Sequence, residues 1–222
     1  MTVRHLVLLR HGQTEYNAGS RMQGQLDTEL SELGREQAAA AADVLATRRP
    51  LTIVSSDLKR ALDTALKLGD RAGLPVTVDQ RLRETHLGDW QGLTHTEVDA
   101  AAPGARLAWR DDARWAPHGG ESRVDVAERS VPLVAELVAG QHQWGAEGSE
   151  RPVVLVAHGG LIAALTAALL ALPVDNWPML GGMGNASWVQ LSGYSADDEE
   201  FGAIRWRLDV WNASAQVAND VL

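Results

Sequence analysis

Apolar residues follow two rhythms along this chain. Leu6 to Leu9 is an unbroken apolar run that ends at Arg10-His11-Gly12, the pattern of a short strand buried on both faces. From Leu30 the spacing becomes helical. Ser31 is placed to cap a helix running to about Arg48, Pro50 stops it, and Thr52 to Val54 reads as the next strand. Ser55, Ser56 and Asp57 predict the cap of a second helix, which carries Lys59, Arg60 and Asp63 and is closed by Gly73 and Pro75. Ser122 with Asp125 three residues on has the form of a capping box and opens a helix through about Val138.

Val153 to Leu172 carries no charge over twenty residues, long enough for a membrane span. His158-Gly159-Gly160 divides it, however, into a β-rich Val153 to Ala157 and an Ala- and Leu-rich helix from Leu161. Ser187 to Leu191 and Ala203 to Trp211 read as the last strands, separated by the acidic loop Ala196 to Glu200. This alternation predicts an α/β fold: one domain over residues 1–222, a three-layer αβα sandwich around a mostly parallel central sheet, with ligands at the carboxyl ends of its strands.

Composition narrows the chemistry. Twenty basic residues against twenty-nine acidic ones give a net charge of −9, which argues against nucleic acid or a membrane surface as partner. All but Lys59 and Lys67 of the basic residues are Arg, the side chain suited to bidentate phosphate contacts. The chain has no Cys, so disulfides, thiolate metal sites and a cysteine nucleophile are excluded. Arg4 and His5 precede only four apolar residues, too few for a signal-peptide core. A cytoplasmic location is therefore expected, and the Asn185 and Asn212 sequons read as chance matches.

Two buried strands end alike, at Arg10-His11-Gly12 and at His158-Gly159-Gly160. One histidine at a strand end is by default a packing residue. Two at the same edge of a parallel sheet, each followed by Gly and one preceded by Arg, point instead to an anion site. Ser55 to Arg60 brings a second Arg to the same edge, although alone Arg60 reads as a solvated helix charge. Leu82 to Trp90 adds Glu84 within a polar stretch that would otherwise be a surface loop.

Together these segments resemble the histidine phosphatase superfamily, the phosphoglycerate-mutase-like fold. Arg-His-Gly-x-Thr-x-x-Asn stands as Arg10, His11, Gly12, Thr14 and Asn17, and Leu-Ser-x-x-Gly-x-x-Gln as Leu30 to Gln37; Arg60, Glu84 and His158-Gly159 follow in order. The resemblance implies transfer through a phosphohistidine on a neutral His11. Arg10, Arg60 and a protonated His158 hold the phosphate oxygens, Asn17, Gln23, Gly24 and Gly159 add contacts, and Glu84 acts as acid and then base, with no metal and no cofactor. Ser20 to Leu30, Arg81 to His95, Trp115 to Asp125 and Gly181 to Trp188 further resemble the members that act on a glucosylated 3-phosphoglycerate ester. That implies a small-molecule phosphorylated glycoside or glycerate substrate and a homodimer, with the apolar C-terminal strand region as the candidate interface. Trp90, His118, Glu121 and the Gly181 to Asn185 loop are candidate contacts for the rest of the substrate. Competing readings are a mutase of the same family, which would return the phosphoryl group to substrate, a phospholigand-binding protein that has kept the fold, and a two-histidine metal site, which lacks a carboxylate partner at ligand spacing.

Overall fold

The computed structural model describes residues 1–196 and 201–215; the 197–200 part of the acidic loop lies outside the described residues. Thr2–Arg10 forms β1, whose central residues Leu6 to Leu9 are fully buried. Leu6 and Leu8 pack into one apolar cluster, Val7 and Leu9 into another. That is why the run shows no polar alternation: each face of the strand meets a different helical layer.

A single turn, Glu15–Ala18 (α1), follows, then Glu32–Ala46 (α2), Thr52–Ser55 (β2), Lys59–Ala72 (α3) and Val76–Val78 (β3). Ser31 caps α2 as expected, its side chain accepting from Gly34 N, and Gly73 closes α3 in the left-handed region at φ 66°. The expected cap of α3 is corrected. Leu58 holds the cap position without a side-chain bond, while Asp27 Oδ1 accepts from Lys59 N at 2.8 Å. Ser56 lies two residues before that position, its hydroxyl accepting from Leu58 N at 3.3 Å and lying 2.9 Å from His158 Nε2.

His95–Ala101 (α4) and Ala105–Asp111 (α5) precede Arg123–Gly140 (α6), which opens on the expected capping box of Ser122 and Asp125. Val153–Ala157 (β4) and Gly159–Leu169 (α7) account for the long apolar stretch as a strand and a helix. Among the described residues no helix is long and apolar enough to cross a membrane. Trp188–Ser195 (β5) and Arg205–Ala213 (β6) complete the sheet.

The sheet order is β3-β2-β4-β1-β5-β6. β1, β2, β3 and β4 run parallel, as expected, and β5 and β6 form an antiparallel edge. α2 and α3 cover one face, α6 and α7 the other, which gives the αβα sandwich. A third cluster of Met22, Leu87, Trp90 and Val98, with Trp109 and Trp115 against it, lies apart from both.

Candidate active site

The register of the three central strands assembles the site. Arg10 pairs with Ala157 and Ser55 with Val156, so His11, His158 and Ser56 leave the sheet side by side at the carboxyl ends of β1, β4 and β2. The imidazoles of His11 and His158 lie 5.1 Å apart between ring centroids, and both are buried. The loop carrying His11 is seated by an approach that tolerates no side chain: a Cβ on Gly12 would lie 2.2 Å from Gly34 O.

His11 Nδ1 is 2.6 Å from Gly12 O. A carbonyl only accepts, so Nδ1 carries the hydrogen and Nε2 keeps its lone pair. Arg60 Nε donates to that Nε2 at 3.3 Å. Burial, then Arg60 and Arg10, hold the His11 imidazole well below the ordinary histidine value, so it is neutral at physiological pH.

Arg60 is 1 % exposed, which overturns its reading as a solvated helix charge. It donates to Leu26 O at 2.7 Å and Gly24 O at 2.8 Å. Burial brings its pKa down to about 10, against the opposing pull of Glu84 and Asp27, and leaves it charged. Arg10 donates to Met183 O, fixing it against the loop after α7. Burial pushes it down as well, Glu84 partly restoring it. His158 differs from the expected imidazolium. Burial first, then Arg60, His11, Arg10 and Arg129, pushes it well below the ordinary value, so the cleft by itself holds it neutral.

Asn17 Oδ1 accepts from Thr14 N at 3.1 Å and Asn185 Nδ2 at 3.2 Å, and Gln23 Oε1 accepts from Thr28 Oγ1 at 2.6 Å. Both amides thereby keep an NH₂ group for the cleft they line. Glu84 sits over the start of α7: its carboxylate accepts from Gly160 N at 3.1 Å and Leu161 N at 3.0 Å. Arg10, His11, Asn17, Gln23, Gly24, Arg60 and Glu84 line one cleft of ≈ 240 Å³. Gly159 lies beside the Arg10 guanidinium, and His158 backs the cleft through its contact with His11.

Trp90, His118 and Glu121, expected as contacts for the rest of the substrate, do not line this cleft. Trp90 is buried, stacked 5.4 Å from Trp115 and edge-on to Trp109. The His118 side chain is 91 % exposed and paired with Asp89, and Glu121 is bound to Arg129. From the Gly181 to Asn185 loop, Met183 O and Asn185 Nδ2 hydrogen-bond to residues of the cleft. Arg21, His95 and Trp109 line it as well. Arg21 and His95 belong to segments that carried the resemblance, but nothing in the sequence marked Trp109. Among the described residues no three His, Asp or Glu side chains cluster as a metal site would require.

A family model described as the histidine phosphatase superfamily (branch 1) matches residues 6–213. The chain belongs to the histidine phosphatase superfamily. A glucosyl-3-phosphoglycerate phosphatase of Mycolicibacterium vanbaalenii is 81 % identical over the whole of both chains, and one of Mycobacterium tuberculosis is 76 % identical, also over the whole of both. The solved complex of a mycobacterial glucosyl-3-phosphoglycerate phosphatase with inorganic phosphate superposes with a TM-score of 0.90 at 74 % identity, covering 97 % of this chain and 100 % of that one. In this histidine phosphatase the family motifs thus converge on a single cationic cleft at the sheet edge, built around a neutral imidazole.

Proposed function

We propose that this histidine phosphatase hydrolyses glucosyl-3-phosphoglycerate to glucosylglycerate and inorganic phosphate through a phosphohistidine on His11. Full-length identity of 81 % and 76 % to phosphatases of that ester supports the substrate. The observation that carries the chemistry is the His11 tautomer: Nδ1–H is committed to Gly12 O, so a neutral Nε2 lone pair stands among Arg10, Arg60 and His158.

In the first step Nε2 attacks phosphorus, the ester P–O bond breaks, and Glu84 gives its proton to the leaving oxygen. In the second a water oxygen attacks phosphorus, Glu84 takes its proton, and the N–P bond breaks, returning the lone pair to Nε2. Arg10 and Arg60 neutralise the phosphoryl oxygens. His158 joins them by taking a proton when the phosphate's negative charge offsets the burial and the arginines that hold it neutral. Asn17, Gln23, Gly24 and Gly159 complete the phosphate cradle. Neither step calls for a metal or another cofactor.

The multiply charged ester does not cross a lipid bilayer unaided, so the enzyme acts in the compartment where the ester forms, which this reading takes to be the cytoplasm. Its product then feeds the making of methylglucose lipopolysaccharides, as the resemblance implies. A homodimer forms along β6, the last strand of the sheet order, whose outer edge is the place where a second copy would add to the sheet. The direct chemical test is to quench the enzyme during turnover of ³²P-labelled substrate. Acid-labile, base-stable label should map to His11 and vanish in a folded His11→Ala variant, whose turnover falls by on the order of 10⁴-fold or more. Label elsewhere, or appreciable turnover by that variant, refutes the assignment.

A further inference from the structure

Glu84 stands on no helix or strand. Its segment leaves the short 3₁₀ turn Gln80–Leu82 and runs irregularly to the next such turn, Gly88–Trp90. Yet proton donation demands that its carboxyl be placed within a fraction of an ångström, and a ~1 Å misplacement costs on the order of 10²-fold in rate. Backbone carbonyls in such a segment need donors from elsewhere.

One side chain supplies most of them. Arg129, two turns into α6, donates from Nη1 to Arg81 O at 2.7 Å, and from Nη2 to Arg83 O at 2.8 Å and Glu84 O at 3.0 Å. Its Nε donates to Glu121 Oε1 at 2.8 Å. Glu121 in turn receives His86 N at 2.8 Å on Oε2 and gives its own N–H to His86 O at 2.7 Å. The pair is only 21 % and 24 % exposed, so solvent competes weakly for these bonds. A rigid fork spanning three carbonyls fixes the backbone on one side of Glu84, and the Glu121 contacts fix it on the other. Gln25 Nε2 adds a third tether to Glu84 O at 3.0 Å.

We propose that Arg129, locked by Glu121, is the positioning residue that sets Glu84 as proton donor to the leaving oxygen. The proposal rests on the reading of Glu84 as the acid, and its test separates the two. The rate of the phosphorylation half-reaction is measured in single turnovers with glucosyl-3-phosphoglycerate, an alkyl ester that needs a proton, and with p-nitrophenyl phosphate, whose leaving group does not.

Glu84→Gln should slow the alkyl ester by about 10²-fold or more and the aryl ester far less. Arg129→Gln should reproduce that selective loss at about tenfold or more, while Arg129→Lys, which keeps the charge that acts on His158, should hold inorganic phosphate affinity within about twofold of wild type. Arg129→Lys keeps the charge but lacks the fork, and should also fail on the alkyl ester. If Arg129→Gln does not fold, the same ratio read on Arg129→Lys and Glu121→Gln decides. Selective loss in Glu84→Gln combined with equal losses, or none, in the Arg129 variants overturns the positioning role alone. Full rescue by Lys overturns it too, since charge would then suffice. Equal losses in Glu84→Gln overturn the acid reading, and the positioning role with it.

Discussion

At the scale of single residues the site works by committing hydrogen bonds before any substrate arrives. In the proposed mechanism His11 serves as nucleophile because Gly12 O fixes its tautomer and because burial and two arginines keep it unprotonated. The same forces act on His158 and carry a stability signature. An imidazole whose pKa is lower folded than unfolded binds more protons in the unfolded chain, so its contribution to stability is intact above about pH 6.5 and is lost as pH falls below that value. Each histidine should then cost up to about 1.4 kcal/mol per pH unit. Urea midpoints taken from pH 7.5 to 5 should fall, and His158→Gln should flatten the fall; identical profiles would show that His158 is not held neutral. Most of these residues were legible in the sequence because strand-end motifs fix both identity and position. Arg60 as a buried group was legible only through the resemblance, since its burial depends on Gly24 and Leu26 from a distant loop. Trp109, which nothing in the sequence marked, lines the cleft where Trp90 was expected to, since which of two packed indoles faces a cleft is decided by tertiary packing.

At the scale of elements, function depends on where strands end and helices begin. β1, β4 and β2 end in register, and α7 begins where Glu84 arrives. Gly160 makes that meeting possible: a Cβ there would lie 2.6 Å from Glu84 Oε1 and 2.8 Å from Thr85 Oγ1. These are side-chain ends that swing aside at little cost, so Gly160→Ala should leave thermal stability within about 1 kcal/mol of wild type. Its activity on the alkyl ester should nevertheless fall by about tenfold or more as the carboxyl is displaced. Wild-type activity in that variant would mean Glu84 needs no such seat. The buried strands and capped helices were legible because continuous apolar runs and capping boxes are local signals. β3 escaped because Val76–Val78 has only three residues, two of them exposed. The antiparallel edge escaped because strand direction is set by the connection, and the sequence pattern of β5 is the same either way. The segment around Glu84 showed no periodicity to read, and its geometry is imposed from outside by Arg129.

At the scale of the whole molecule, a net charge of −9 coexists with a cleft lined by Arg10, Arg21 and Arg60 against the single carboxylate of Glu84. The overall field disfavours extended polyanions, while the local one suits a small phosphate ester. Arg21, His95 and Trp109 also line the cleft, which adds a cation and an aromatic surface to it. The decisive measurement is inorganic phosphate released by the intact protein from glucosyl-3-phosphoglycerate, its mannosyl counterpart and free 3-phosphoglycerate, with the organic products identified. The account predicts stoichiometric phosphate and glucosylglycerate from the glucosyl ester, at a kcat/KM about tenfold or more above that for free 3-phosphoglycerate. An isomerised ester without phosphate release, or no preference for the glucosylated substrate, would contradict it.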